Sequence, residues 1–155
     1  MNSGDKKPIY VLNGPNLGQL GNRLPEIYGT TTLARIEAGL IEQAAGQGLE
    51  IDFRQSNHEG DLVDWIIEAG ERAAGIIVNP AAYSHTSIAI RDAVEAVDIA
   101  VIEVHLSDIS KREAFRRHSY VSDVADEIVM GLGAEGYSKA LDALTKRLQV
   151  ERKTR

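Results

Sequence analysis

Short apolar runs alternate with stretches of helical period along almost the whole chain, and this alternation limits the fold more than any other property. Ile9-Tyr10-Val11-Leu12 opens the series without a polar break, as suits a strand covered on both faces. Leu33, Ile36, Leu40, Ile41 and Ala44 follow at helical spacing, with Gly48 where a helix stop belongs. Leu49, Ile51 and Phe53 alternate with polar residues, which predicts a half-covered strand near a sheet edge. Ser56 and Glu59 stand three apart and fit a capping box. The helix they would open carries the stripe Leu62, Val63, Ile66, Ile67, Gly70 and Ala74. Gly75-Ile76-Ile77-Val78-Asn79 predicts a third strand, residues 87–97 a third helix, and Ala100-Val101-Ile102-Glu103-Val104 a fourth strand. Asp126-Glu127-Ile128-Val129-Met130 predicts a fifth. A closing helix places Tyr137, Leu141, Leu144 and Leu148 on one face, and residues 151–155 read as a frayed, charged tail.

Repeated strand–helix units joined by right-handed crossovers build a parallel sheet with helices on both sides. The expected fold is therefore α/β: a flavodoxin-like three-layer sandwich around a five-stranded parallel sheet of order 2-1-3-4-5. Strands one and three would meet at its switch point. A length of 155 residues suits one domain, residues 1–155, with a core at about 8–148 and flexible tails. Seventeen Lys and Arg against 23 Asp and Glu give a net charge of −6, a poor match to general nucleic-acid binding, where a basic face normally supplies the affinity. No apolar run approaches the roughly 20 residues that span a bilayer. Residues 1–7 are basic without an apolar signal core, so a cytoplasmic location is expected. Without cysteine, the chain has no disulfide framework, thiol nucleophile or thiolate metal site.

In an open parallel sheet, ligands bind beyond the carboxyl ends of the strands. Asn13 and Asn16 follow the first strand; Asn79, Ser84 and His85 follow the third; His105 and Ser107 follow the fourth. These strands are neighbours in the expected order, so amides, hydroxyls and imidazoles converge on one crevice. A single Asn has an alternative use in shaping a turn. Two connections, residues 13–32 and 105–122, are too long for simple turns, and the second has room for a short helix around residues 113–117. The first carries Leu17, Leu20, Leu24, Ile27 and Tyr28, more apolar material than a linker needs, and reads as a lid.

Arg23 and Tyr28 lie on that loop, bent by Gly14, Pro15, Gly18, Gly21, Pro25 and Gly29. A phenol with a pKa of about 10 is a poor base at neutral pH. A nearby guanidinium can lower it by about 1–3 units. A drop of about two units would raise the phenolate fraction a hundredfold, worth about 2.7 kcal/mol. A tyrosine packed on a loop beside a solvated arginine has the same spacing. Glu103 and His105 are two apart on a strand and share a face. A carboxylate there can fix the imidazole tautomer for acid–base work, or simply satisfy a core histidine. Arg112, Arg116, Arg117 and His118 form a basic cluster, one member of which can grip a carboxylate while the others pair at the surface.

Other uses of such a fold lack their residues. A phospho-receiver needs acidic groups where Asn13 and Asn79 stand, and a flavin carrier needs a hydroxyl-rich phosphate loop. There is no GxxxxGK[ST] loop, no HExxH among the four His, and no GxSxG elbow.

Several motifs in order resemble one family. They are Leu12-Asn13-Gly14-Pro15-Asn16-Leu17, Arg23-Leu24-Pro25-Glu26-Ile27-Tyr28-Gly29, Asn79-Pro80-Ala81-Ala82-Tyr83-Ser84-His85-Thr86-Ser87 and Ile90-Arg91-Asp92-Ala93. Glu103-Val104-His105-Leu106-Ser107, Phe115-Arg116-Arg117-His118-Ser119-Tyr120 and Gly131-Leu132-Gly133 complete them. Together they resemble the type II 3-dehydroquinate dehydratases and span all but the two tails. Gly18-Gln19 stands where Asn-Leu is frequent in that family, Leu24 where Glu is, Ala81 where Gly is, and Asp108 where Asn is.

The resemblance implies dehydration of 3-dehydroquinate to 3-dehydroshikimate through an enolate, in the shikimate route to chorismate or in quinate breakdown. A non-catalytic flavodoxin-like binding module is the alternative of another class. The resemblance also implies that Tyr28 is the base and that Arg23 lowers its pKa. His105, oriented by Glu103, would be the general acid, and Asn16 would place a water at the enolate oxygen. Asn79, His85, the Leu106 backbone, Ser107 and Arg116 would bind substrate, with Arg112 nearby and Asp92 reaching in from a neighbouring subunit. It implies no cofactor, no metal and no Schiff base, and a homo-oligomer of trimers grouped into a dodecamer.

Overall fold

The computed structural model describes residues 6–22 and 24–153. Strands β1 (Ile9–Asn13), β2 (Ile51–Gln55), β3 (Gly75–Asn79), β4 (Ala100–His105) and β5 (Glu127–Met130) form one sheet of order β2-β1-β3-β4-β5. Every pairing is parallel. The expected topology is therefore present, with β2 at an edge and half-buried along its length.

The unbroken apolar strands are those covered on both faces: every residue of β1 and β3 is buried. Ile9 and Val11 point to one face, where helices α2 (Leu33–Ala45) and α5 (Glu135–Lys153) contribute Ile36, Leu40, Tyr137, Leu141 and Leu144. Tyr10 and Leu12 point to the other, against Leu62, Ile66 and Ala69 of α3 (Glu59–Arg72) and Ile90, Ala93 and Val94 of α4 (Ile88–Ala96). Period-2 strands thus feed two separate helix layers.

Several local expectations need correction. Ser56 does not form a capping box. The residue before α3 is His58, which has no side-chain cap bond. Ser56 lies two residues earlier, so its hydroxyl accepts from the His58 N–H at 2.9 Å and donates to Asp61 at 2.6 Å. Ile41 and Ile67 are about half exposed, because each sits about 100° round its helix from the residue before it, away from the sheet. Ala74 falls beyond the end of α3. Helix α5 continues to Lys153, past the point where fraying was expected.

The first long connection is only partly a flap. A 3-10 turn at Leu17–Gln19 sends Leu17 and Leu20 into the core shared by α2 and α5. Beyond it, the short helix α1 (Pro25–Tyr28) leaves Leu24 and Ile27 exposed. The second connection folds into 3-10 turns at Ile109–Lys111, Ala114–Arg116 and Val121–Asp123. The loops after β1 and β3 touch. A Cβ on Gly14 would stand 2.4 Å from the Pro80 carbonyl oxygen, so only glycine allows this approach.

Candidate active site

A cavity of about 200 Å³ opens above the carboxyl ends of β1, β3 and β4. Asn16, Asn79, His85 and His105 line it, as do Leu106, Ser107, Arg112 and Arg116. Leu17, Leu20 and Ile109 give it an apolar side. Eight of the twelve residues to which the resemblance assigns a role therefore meet in one place.

His105 ends β4 and is 5% exposed. Its Nε2 lies 2.5 Å from Oε2 of Glu103, two residues back on the same face. A carboxylate can only accept, so Nε2 carries the proton and Nδ1 is the nitrogen left for the cavity. Glu103 is wholly buried behind the ring. Ser119 Oγ donates to the same Oε2 at 2.5 Å, and Ser122 Oγ to Oε1 at 2.6 Å. Burial pushes the Glu103 carboxyl up, but His105 and the two hydroxyls outweigh it and hold the group below its ordinary range.

His85 faces the cavity from the 3-10 turn Ala81–His85. Its Nδ1–H donates to the His118 carbonyl at 2.8 Å, which leaves Nε2 as an acceptor on the neutral ring. Burial lowers its pKa; the His118 carbonyl opposes this, while the charges of His105, Arg116 and Arg112 reinforce it.

Asn79 is oriented from two sides. Its Oδ1 accepts from the Ala81 N–H at 3.1 Å, and its Nδ2 donates to the Tyr137 hydroxyl at 3.0 Å. That hydroxyl donates in turn to Asn13 Oδ1 at 2.7 Å, and Asn13 Nδ2 donates to the Arg54 carbonyl at 2.9 Å. Ala81 has φ +53°, a left-handed conformation that the Asn79 bond helps to hold. Asn16 is also left-handed, at φ +68°, and its N–H donates to Asn57 Oδ1 at 3.0 Å.

Arg112 donates to Ser107 Oγ at 3.2 Å and to Glu113 at 3.3 Å, and Arg116 donates to the other Glu113 oxygen at 2.9 Å. Two guanidiniums and two imidazoles thus share one small cavity, an environment suited to an anionic ligand with hydroxyls. Among the described residues, no group of three or more His, Cys, Asp or Glu is placed to hold a metal ion.

The remaining site expectations fall elsewhere. Glu103 supports the cavity from behind. Asp92 lies exposed on α4, 3.9 Å from Arg91, and does not line the cavity of its own chain. Arg23 and the Tyr28 side chain lie outside the described residues. Asn13 and Ser84, read as converging on the crevice, are instead turned inward: Asn13 joins Tyr137, and Ser84 donates to the Ala81 carbonyl. Ser119, Ser122 and Tyr137 are structural partners that sequence reasoning missed. The available signal was indirect, since a glutamate in an apolar strand and a tyrosine in a core stripe both require polar partners.

A family model described as dehydroquinase class II matches residues 7–145. The chain belongs to the type II dehydroquinase family. A 3-dehydroquinate dehydratase from Brucella abortus (strain S19) is 57% identical over 147 residues, covering 95% of this chain and 94% of that protein. The type II dehydroquinase crystal structure from Propionibacterium acnes superposes with a TM-score of 0.87 at 46% identity, over 91% of this chain and 97% of that one. That from Butyrivibrio crossotus gives 0.88 at 41% identity, over 90% and 98%. Among the described residues of this type II dehydroquinase, no helix is long and apolar enough to cross a membrane.

Proposed function

We propose that this chain converts 3-dehydroquinate to 3-dehydroshikimate with loss of water, and that the buried Glu103–His105 pair facing Arg112 and Arg116 is the observation that carries it. The substrate has a carboxylate, hydroxyls and a ketone. The cavity offers cations for the first, amides and hydroxyls for the second, and an oriented imidazole for the leaving group.

In the proposed reaction, the Tyr28 phenolate takes a proton from the carbon beside the ketone, and the C–H electron pair becomes the enolate. Arg23 favours the phenolate, and a water placed by Asn16 donates to the enolate oxygen. As the enolate collapses, the new C=C bond forms and the adjacent C–O bond breaks. The departing oxygen takes a proton from His105 and leaves as water. Glu103 orients His105. Asn79, His85, the Leu106 backbone, Ser107 and Arg116 hold the hydroxyls and carboxylate, with Arg112 beside them. Base and acid at about a hundredfold to ten-thousandfold each supply several kcal/mol of barrier reduction. The proposal includes trimers grouped into a dodecamer, Asp92 reaching a neighbour's site, a cytoplasmic location and a place in the route to chorismate.

Absorbance in the product's enone band, after protein is mixed with 3-dehydroquinate, tests the activity. Silence across a broad pH range from a folded sample overturns it. Tyr28→Phe is expected to lose turnover far more than binding, and near-normal rates would remove Tyr28 as the base.

A further inference from the structure

Both cavity imidazoles are held by one short segment. In residues 118–122, the His118 carbonyl accepts from His85 Nδ1, while the Ser119 and Ser122 hydroxyls donate to the two oxygens of Glu103. The Tyr120 N–H donates to the Ser84 carbonyl at 2.8 Å, which docks this segment against the turn carrying His85.

The Glu103 carboxylate has three donors: His105, Ser119 and Ser122. Its register partners Val78 and Ile128 offer no side-chain polar group, so the hydroxyls are the neutral support of a fully buried charge. In the Glu103–His105 pair one proton has two possible homes. On the ring, it gives imidazolium and carboxylate, and all three donors point at an anion. On the carboxyl, it gives neutral imidazole and a carboxylic acid, and both serine donors lose the charge they stabilise. Arg112, Arg116 and His85 line the same cavity as the ring. Asp123 beside Ser122 is exposed, and His118 turns its ring edge-on to Tyr120. The hydroxyls therefore act on the side of the balance that keeps Glu103 a carboxylate.

We propose that Ser119 and Ser122 are positioning residues that keep the shared proton of the Glu103–His105 pair on the imidazole, so that His105 is loaded as the acid. The functional half of this inference rests on the dehydratase proposal; the location of the proton does not. Charge-assisted bonds of this kind are about twice as strong as neutral ones. Losing one is expected to move the ionisation of the pair by about one pH unit, a tenfold change in its constant.

The test joins ¹⁵N spectra of the His105 ring and ¹³C spectra of the Glu103 carboxyl, both across pH in the ligand-free protein, to the pH profile of kcat/KM for 3-dehydroquinate. In the wild type, the singly protonated pair is expected to show imidazolium and carboxylate signals. In Ser119→Ala, Ser122→Ala and the double variant, the ring signals should move toward neutral imidazole. The acid limb should rise by about one pH unit for each hydroxyl lost. kcat is expected to fall about tenfold with KM changed less than about threefold. Ser122→Thr, which keeps the hydroxyl, should restore the wild-type profile. A folded double variant with wild-type ring signals and an unshifted profile overturns the proposal. So does a protonated Glu103 in the wild type, which requires no variant to fold. A wild type without turnover would overturn the dehydratase proposal, and the ring spectra would still decide where the proton sits.

Discussion

Replacing Tyr137 by phenylalanine removes one oxygen atom beneath the cavity floor. That hydroxyl donates to Asn13 and accepts from Asn79, in a side chain only 1% exposed. Burial pushes the phenol far above its ordinary range, with Asn79 pulling weakly the other way. It is therefore protonated at every working pH, and its donor and acceptor roles are fixed. The ring remains in Tyr137→Phe, so apolar burial barely changes and the loss comes from two stranded amide groups. A buried polar atom without a partner costs about 1–3 kcal/mol. Asn13 and Asn79 are register partners and can turn partly toward each other, which brings the expected loss of stability to about 2–4 kcal/mol. In a chain of 155 residues this lowers the melting temperature by roughly 5–15 °C. The freed Asn79 amide also binds a ligand less well, so KM should rise about fivefold with kcat little changed. Urea unfolding followed by Trp65, the single tryptophan, measures the first effect. Repeating it at several protein concentrations separates folding from association. Steady-state kinetics measure the second. A variant within about 0.5 kcal/mol of the wild type, with unchanged KM, would refute the reasoning, because that is the scatter of ordinary surface changes.

Gly14→Ala drives a Cβ to 2.4 Å from the Pro80 carbonyl oxygen, backbone against backbone, and should cost about 2 kcal/mol or more while weakening ligand binding; unchanged unfolding would disprove the contact. At Ala81, φ +53° disfavours branched side chains, so Ala81→Val should lose about 2 kcal/mol in a thermal melt. Ala81→Gly should stay within about 1 kcal/mol of the wild type, since relief of strain and loss of chain restraint oppose each other. Glu103 is held below the ordinary carboxylate range, so its charge contributes stability that is full above about pH 4.3 and is lost as pH falls through its folded value. The stability gap between wild type and Glu103→Gln should therefore narrow on acidification, and a gap that widens would contradict the sign.

The sheet was legible because burial on both faces leaves a local mark. β1 and β3 are unbroken apolar runs, β2 alternates, and about five strand–helix units suit the flavodoxin-like order. The Glu103–His105 pair was legible for the same reason, since a strand's period of two puts both on one side. What stayed hidden depends on partners far along the chain. Ser119 and Ser122 reach Glu103 across 16 and 19 residues, and Tyr137 reaches Asn13 across 124. No local period encodes such bonds. Helix faces were blurred at their margins, where Ile41 and Ile67 satisfy an apolar pattern yet remain half exposed. Ser56 misled because its capping signature depends on a helix start that the chain places two residues later.

The division of the first long connection has a consequence for inhibitor chemistry. Leu17 and Leu20 are sunk in the core, so the rim from Pro15 to Leu20 is anchored at both leucines. A compact ligand touching that rim and the imidazole side gives up little chain entropy on binding. One that reaches out to the exposed Leu24 and Ile27 must order peripheral side chains as well. Extending a scaffold in that direction should therefore add contact area faster than it adds affinity, and calorimetry on a matched series would reveal the shortfall as an entropic penalty.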